Sequence, residues 1–269
     1  MGRGKGSHVA TTGREERLAE EVLVQLDLGK TIDPLASSFA HLDLEGAYRV
    51  QLALVDRRCA RGERIVGRKV AFTSRGTMTQ FGVTESAFGT ILSGGVFADG
   101  DAVPVSRFPA VGAEAEVAFV IGEELRGPGI TIAQVLKATR GVLAALEIIN
   151  LCITRTPWNA VEVIATNAVH GGIVLGGQIT PLDGLNLRYE GMVAEVDGEP
   201  IGSGAGVEVL GNPAASVAWL ANKLSEFDLT LRPDDIVLSG SIIRMLEVKA
   251  GQAVKATFSR IGSVGARFV

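Results

Sequence analysis

The spacing of apolar and polar positions divides the chain into a helical first part and a strand-rich remainder. Four apolar residues recur at helical spacing within residues 14–29: Leu18, Val22, Leu23 and Leu26. A second amphipathic pattern covers residues 43–62, from an acidic cap at Asp43 to a stop at Gly62. We therefore expect a helical N-terminal part over residues 14–62.

Strand patterns dominate after residue 62. Residues 63–72 include several β-branched residues, which favour a strand. Residues 115–122 are almost continuously apolar, which is typical of a strand buried on both faces. Residues 187–204 predict a hairpin that turns at Asp197 and Gly198. Glycine makes up 34 positions without a period, which indicates many tight turns.

The order of these elements predicts the fold class. Two helices interrupt the strands, over residues 131–139 and 212–227. Because strands and helices do not alternate regularly, we predict an α+β fold rather than a doubly wound one. We expect a β-rich domain over residues 63–269 and a disordered tail over residues 1–13.

Composition and charge narrow the function. The chain has 269 residues and a net charge of −4, with 46% hydrophobic and 21% charged residues, which is typical of a globular protein. The mild negative charge argues against a nucleic-acid partner. Two cysteines far apart in the sequence indicate a reducing compartment. No run of apolar residues is close to the length of about 18 to 20 residues that a membrane-spanning helix needs. We expect a soluble, cytoplasmic protein.

Acidic residues in apolar surroundings are the main candidates for chemistry. Glu114 and Glu116 are two apart on a predicted strand, so both carboxylates lie on one face, and Glu147 is the acid of an apolar run. With only three histidines in the chain, such a set favours Mg²⁺ or Mn²⁺. Alternatively, the first two acids lie at an exposed strand start and Glu147 pairs with an arginine.

Lys69 and His170 are further candidates. Lys69 lies among apolar residues on a predicted strand, where it could act as an acid or base or bind an anionic substrate. Alternatively, it is a surface residue of an edge strand. His170 has either a structural or a catalytic role.

Several segments, in this order and spacing, resemble the 2-keto-4-pentenoate hydratase / 4-oxalocrotonate decarboxylase family of the fumarylacetoacetate hydrolase superfamily. The segments are IVGRKVAFTS (65–74), QFGVTESAFGTIL (80–92), AEAEVAFVI (113–121), ALEIIN (145–150), ATNAVHGGIVLGG (165–177), SGAGVEVLGNPAASVAWLANKL (203–224), DIVLSGS (235–241) and IGSVGARFV (261–269). The resemblance implies a β-rich domain of mixed sheets around a metal, with a smaller helical N-terminal part.

The resemblance also implies roles for single residues. The metal ligands of the family match Glu114, Glu116 and Glu147, and its G-x-K lysine matches Lys69. The expected ion is Mg²⁺ or Mn²⁺, which would bind the oxo and carboxylate oxygens of a 2-oxo acid and stabilise an enolate. A hydratase then adds water to the dienol, whereas a decarboxylase releases CO₂.

The chain departs from the family pattern around the substrate. Hydratases have an acid where this chain has Ala87, and the usual polar residues are replaced by Leu151 and Val169. One positive charge is lost at Cys152, and the aspartate of A-D-N-A-S becomes Thr166. We expect the substrate pocket to include six residues: Ser74, Ala87, Leu151, Asn167, Val169 and Ser241.

These features predict a metal-dependent lyase of hydratase type that acts on a substrate like 2-hydroxypenta-2,4-dienoate. The alternatives are a 4-oxalocrotonate-like decarboxylase, a biosynthetic member with a larger apolar substrate, and a non-catalytic assembly partner. His170 could replace the lost acid of the hydratases. We expect a homo-oligomer with no membrane or nucleic-acid partner.

Overall fold

The computed structural model describes residues 11–155 and 157–269. The first ten residues of the predicted tail, including His8, lie outside this part. Within it, Thr12 and Glu15 form a reciprocal capping box at the start of the first helix, so residue 13 is helical rather than part of a tail. None of the described helices is long and apolar enough to span a membrane.

The described residues form seven α-helices. They are α1 (Gly13–Asp27), α2 (Ala36–Phe39), α3 (Leu44–Ala60), α4 (Arg75–Phe81), α5 (Ile132–Ala138), α6 (Ala160–Ala165) and α7 (Pro213–Ser225). The helices predicted over residues 131–139 and 212–227 correspond to α5 and α7. Capping side chains explain several boundaries, since Asp43 accepts from the backbone of α3 and Asn212 from that of α7.

Thirteen strands lie among the described residues. They are β1 (Ile65–Ala71), β2 (Ala87–Leu92), β3 (Val96–Ala98), β4 (Ala102–Val103), β5 (Val111–Ile121), β6 (Thr139–Asn150), β7 (His170–Leu175), β8 (Gly191–Val196), β9 (Glu199–Ala205), β10 (Ile236–Ser241), β11 (Leu246–Val248), β12 (Ala253–Phe258) and β13 (Ser263–Phe268). β8 and β9 form the predicted hairpin at Asp197 and Gly198.

The strands form two mixed sheets, which confirms the predicted α+β class. The larger, eight-stranded sheet has the order β2-β1-β10-β5-β6-β7-β3, with β11 paired to β5. The smaller one has the order β4-β13-β12-β8-β9. Parallel pairs occur in both sheets, β1 with β10 and β4 with β13, while most other neighbours are antiparallel.

The larger sheet curls into a half-barrel. β1 and β6 are separated by β10 and β5, so in a flat sheet they would lie about 14 Å apart. Yet side chains of Lys69 on β1 and Glu147 on β6 are in contact. The curl also brings the edge strand β2 to the turn before β7, where the Asn167 side chain bonds both backbone groups of Thr90 at 2.7 and 2.8 Å.

The N-terminal helices share the core of the β-rich part. The rings of Tyr48 on α3 and Phe88 on β2 are stacked with centroids 4.6 Å apart. The buried Gln51 amide donates to the carbonyls of Phe88 and Ile164. The domain boundary predicted at residue 62 therefore stays a prediction. Helices precede it and strands dominate after it, but the hydrophobic core is continuous across it.

Candidate metal centre

Adjacent strands bring three carboxylates together inside the half-barrel. Glu114 on β5 lies directly opposite Glu147 on β6, and Glu116 is two residues further along β5 on the same face. One oxygen from each lies within 4.8 Å of the others. Glu116 and Glu147 are fully buried and Glu114 is half-buried, so the alternative of an exposed strand start is wrong for Glu116.

Lys69 provides the positive charge beside this cluster. Its Nζ lies 3.1 Å from Glu147 Oε2 and donates to the carbonyl of Ala168 at 3.1 Å. Because β1 lies between β2 and β10 and the side chain is 3% exposed, the alternatives of a surface lysine and of a Glu147–arginine pair are both wrong. Burial lowers the pKa of Lys69, but the surrounding carboxylates outweigh it and raise that pKa, which keeps the ammonium charged.

His170 contacts the other oxygen of Glu147. Its Nδ1 lies 2.7 Å from Glu147 Oε1. Burial raises the pKa of Glu147, but Lys69 and His170 together bring it below the ordinary value, so Glu147 is an ionised acceptor and Nδ1 carries the proton. This contact fixes the orientation of the carboxylate, the usual task of a residue behind a metal ligand.

A strained turn places both partners of Glu147. Asn167, Ala168 and Val169 all have positive φ angles, of 61°, 53° and 51°. Such a conformation costs about 1–2 kcal/mol per residue and is exceptional for a β-branched side chain. The turn directs the Ala168 carbonyl to Lys69 and begins β7 with His170, and strain of this kind concentrates at functional sites.

The charges of the cluster favour a bound cation. Burial and the Glu147 carboxylate raise the pKa of Glu114 to about 7, and burial with both neighbouring carboxylates raises the pKa of Glu116 well above its ordinary value. When all three carboxylates are ionised, the cluster and the Lys69 ammonium together carry two negative charges, which a divalent ion would neutralise. Glu116 Oε1 has no hydrogen-bond partner among the described residues, although it is buried. Oxygen ligands of this kind fit Mg²⁺ or Mn²⁺.

The backbone of Gly240 is a part of the site that the sequence analysis missed. Its N–H donates to Glu116 Oε2 at 2.6 Å. Gly240 has a φ of 114°, and a Cβ there would lie 2.3 Å from Thr73 Oγ1. Only glycine allows this approach. The S-G-S pattern at the end of β10 is compatible with such a contact, but no spacing rule identifies it from the sequence.

The polar residues predicted for the substrate pocket bond mainly to nearby protein groups. Ser74 caps α4 by accepting from the backbone of Thr77. Ser241 lies opposite Glu116 in the sheet and donates to the carbonyl of Ile243 at 2.6 Å. The Asn167 side-chain amide accepts from the Thr90 backbone N–H and donates to the Thr90 carbonyl. Their roles toward a substrate stay predictions.

The predicted apolar pocket residues lie on or beside elements that carry or contact the cluster. Ala87 is buried at the start of β2, opposite Ala71, and Val169 lies in the strained turn. Leu151 is half-buried directly after β6. The residue after β1, Phe72, packs against Phe81 with the rings tilted and their centroids 4.6 Å apart, an apolar contact that the sequence analysis did not identify.

Cys152 lies close to the predicted pocket residue Leu151 in the sequence. Cys152 is fully buried, and burial raises the pKa of its thiol to about 12. The family pattern has arginine and aspartate at the positions of Cys152 and Thr166. Two neutral residues at these positions fit the resemblance-based expectation of a less polar pocket.

Comparison with known proteins agrees with this fold. The sequence-family model described as fumarylacetoacetate (FAA) hydrolase, C-terminal, matches residues 92–269 of this chain. The chain therefore belongs to the fumarylacetoacetate hydrolase family. Within it, the chain is 35% identical over 260 residues to 2-keto-4-pentenoate hydratase of Paraburkholderia xenovorans strain LB400, with 96% of each chain covered.

Similarity extends to decarboxylases. The chain is 34% identical to 4-oxalocrotonate decarboxylase of Pseudomonas sp. strain CF600, with 88% of this chain and 90% of that one covered. The solved structure of 4-oxalocrotonate decarboxylase from Pseudomonas putida G7, complexed with magnesium and adipate, superposes with a TM-score of 0.92. It shows 31% identity and covers 95% of this chain and 97% of that one.

Proposed function

We propose that the protein is a divalent-metal-dependent lyase of hydratase type, acting on a 2-hydroxydienoate or related 2-oxo acid. The observation that carries the proposal is the buried cluster of Glu114, Glu116 and Glu147 with Lys69, whose excess of two negative charges matches a divalent cation. Hydratases and a decarboxylase among the relatives support the lyase class, and the magnesium in one relative's structure supports the metal.

Each residue of the centre has a proposed task. Glu114, Glu116 and Glu147 would hold Mg²⁺ or Mn²⁺, with the N–H of Gly240 orienting Glu116. When bound, the ion would supply Lewis-acid stabilisation of the negative charge that develops on a 2-oxo acid substrate. Lys69 holds a proton on Nζ beside Glu147, where it can serve a developing anion or bind a carboxylate.

The proposal is tested by product analysis of the Mg²⁺-loaded protein. We expect 2-hydroxypenta-2,4-dienoate to gain the mass of one water, and 4-oxalocrotonate to remain unchanged. Loss of the mass of CO₂ from 4-oxalocrotonate would favour the decarboxylase instead, and loss of both activities in EDTA is expected in either case. If neither compound reacts, the hydratase proposal is rejected for this substrate class, and a larger apolar 2-oxo acid becomes the next candidate.

A decarboxylase is the second candidate because a specific residue favours it. The acid that hydratases carry at position 87 is an alanine here, 1% exposed, and the decarboxylase branch also lacks an acid there.

A homo-oligomer and a cytoplasmic location also stay predictions from the sequence. Sedimentation of the Mg²⁺-loaded protein would test the first of them.

For His170, the contact with Glu147 supports a role in positioning rather than direct chemistry. We expect His170→Ala to weaken Mn²⁺ binding by about 10- to 100-fold, the usual effect of losing a partner behind a metal ligand. His170→Asn, which retains a donor near Glu147, should recover part of that affinity. Titration calorimetry with Mn²⁺ measures both.

The matched control is His41→Ala, an exposed histidine before α3, which should bind Mn²⁺ like the wild type. Normal Mn²⁺ affinity with lost turnover in His170→Ala would contradict the positioning role and indicate that His170 acts on the substrate.

A further inference from the structure

The side chain of Asn167 joins the edge strand β2 to the turn before β7. Its Oδ1 accepts from the Thr90 backbone N–H at 2.7 Å, and its Nδ2 donates to the Thr90 carbonyl at 2.8 Å. A residue on a neighbouring antiparallel strand makes the same two bonds. Because β2 is the edge strand of the larger sheet, one amide supplies here what a further strand would supply.

Both hydrogen bonds of this amide are buried. Asn167 is 6% exposed and Thr90 is 0% exposed. Without the amide, the backbone N–H and carbonyl of Thr90 would lose their partners inside the protein, which is costly. The pair therefore constrains the turn strongly.

The turn packs on β2 at the residue opposite Lys69. This residue is Gly89, which pairs with Lys69 in the register of β1 and β2. A Cβ at Gly89 would lie 2.7 Å from the Asn167 carbonyl oxygen and 3.1 Å from Lys69 Cγ. It would also lie 3.2 Å from the Ala168 Cβ. Because position 89 has no side chain, the turn and the Lys69 side chain can pack on the same point of β2.

Two groups of the metal centre take their positions from this turn. The Ala168 carbonyl accepts from Lys69 Nζ at 3.1 Å, and Nζ lies 3.1 Å from Glu147 Oε2. The His170 backbone N–H donates to the Asn167 carbonyl at 3.1 Å, and His170 Nδ1 lies 2.7 Å from Glu147 Oε1. A displacement of the turn would therefore change the contacts of both Glu147 oxygens.

Local preference does not hold the turn in its conformation. The φ angle is positive at Asn167, Ala168 and Val169. Asparagine tolerates this region of backbone space, whereas alanine and valine disfavour it. Such strain persists only where the surrounding structure over-determines it. The bonds between Asn167 and Thr90 are a constraint that acts on the turn itself.

We propose that Asn167 is a positioning residue of the metal centre, whose amide holds the strained turn on β2 and thereby places Lys69 and His170 beside Glu147. This role gives Asn167 no contact with the substrate, and it rests on the metal-dependent function proposed above. Loss of the amide should therefore weaken metal binding and slow turnover without weakening substrate binding.

Asn167→Gly tests the proposal, because glycine adopts a positive φ but cannot bond Thr90. We expect Mn²⁺ affinity in titration calorimetry to fall about tenfold, at the lower end of the effect of losing a partner behind a metal ligand. With Mg²⁺ saturating, kcat for 2-hydroxypenta-2,4-dienoate should fall at least about tenfold because reacting groups are misplaced. KM should stay within about threefold of the wild-type value.

Gly89→Ala displaces the same turn without changing the Asn167 side chain. The new Cβ would meet the Asn167 carbonyl oxygen at 2.7 Å, so the turn must move. We expect the pattern of Asn167→Gly, with weaker Mn²⁺ binding and a lower kcat at a nearly normal KM. This variant decides the proposal if Asn167→Gly does not fold.

The matched control is Gln51→Leu. The Gln51 amide is also buried, and it joins β2 to α6 through the carbonyls of Phe88 and Ile164 at 2.9 and 2.8 Å. Its loss also removes two buried bonds, so the melting temperature should fall much as in Asn167→Gly. Because Gln51 bonds α6 rather than the turn, Mn²⁺ affinity and kcat should stay those of the wild type.

Three results would overturn the proposal. Wild-type Mn²⁺ affinity and kcat in both Asn167→Gly and Gly89→Ala would show that the centre does not depend on the turn. Equal losses in Gln51→Leu would indicate general destabilisation, and a raised KM with normal kcat in Asn167→Gly would indicate a substrate contact.

Failure of the proposed function gives a different result. A wild-type protein that binds Mn²⁺ but turns over no 2-oxo acid would reject that function, while the Mn²⁺ affinities of the variants would still decide the role of Asn167. Absence of Mn²⁺ binding by the wild type would reject both.

Discussion

Glu116→Gln is expected to abolish function while leaving the fold intact. The change removes one negative charge and one ligand oxygen from a cluster of three. We therefore expect Mn²⁺ affinity to fall by at least about 100-fold. Turnover of the Mg²⁺-saturated protein should fall on the order of a thousandfold, because the charge stabilisation of the reaction depends on the ion. Calorimetry with Mn²⁺ and product analysis measure these effects.

Stability without metal provides an independent readout of the same variant. The raised pKa values of Glu114 and Glu116 mean that the folded protein binds protons more tightly than the unfolded chain. Metal-free wild-type protein should therefore lose stability as pH rises from the ordinary glutamate value of 4.5 through about 7. Glu116→Gln should reduce this loss and melt at a higher temperature than the wild type in EDTA at pH 8.

The control for Glu116→Gln is Glu190→Gln. Glu190 is also fully buried but pairs with Arg260, away from the cluster. The Glu190→Gln variant should be less stable than the wild-type protein and should retain Mn²⁺ binding. Wild-type Mn²⁺ affinity in Glu116→Gln would reject the assignment of Glu116 as a metal ligand.

Lys69→Met is expected to have the second largest effect. Methionine has a similar length but no charge, so the variant leaves the three carboxylates, two of them fully buried, without the Lys69 ammonium beside Glu147. Removing one partner of a buried pair costs about 3–5 kcal/mol of stability. In EDTA, we expect Lys69→Met to melt well below the wild type, whereas Mg²⁺ should restore most of the difference because the ion replaces the missing charge.

Turnover separates the structural role of Lys69 from a chemical one. With Mg²⁺ saturating, we expect Lys69→Met to remain at least about 100-fold slower than the wild type, in the range usual for loss of a positioned acid or base. Lys223→Met is the control, because Lys223 is paired with Glu85 and Glu226 nearer the surface, where such pairs contribute little. Normal turnover of metal-saturated Lys69→Met would reject any acid or base role.

The comparison of sequence and structure is clearest for the metal centre. The i, i+2 spacing of Glu114 and Glu116 predicted that they share a face, because side chains of a strand alternate. That Glu147 lies opposite Glu114 depends on the register of β5 and β6, which residue spacing does not specify. Their apolar surroundings suggested grouping the three acids as one candidate site, and the resemblance to the family implied the same set.

His170 shows the limit of the sequence more sharply. The sequence left its role open, and the contact with Glu147 results from three residues with positive φ before β7. Asn167 is often compatible with such a conformation, but Ala168 and Val169 are not. Local preference therefore argues against the turn, and packing against β2 imposes it.

What the sequence by itself determined was the kind of elements and the kind of ion. Hydrophobic spacing sets helices and strands locally, and a chain poor in histidine with acids in apolar strands favours a hard divalent cation. Only the tertiary structure decided which groups meet. The curl of the sheet brings Lys69 across two intervening strands to Glu147, and the backbone of Gly240 approaches Glu116. Such contacts depend on long-range register and on curvature, which arise from the packing of the whole chain rather than from any segment of it.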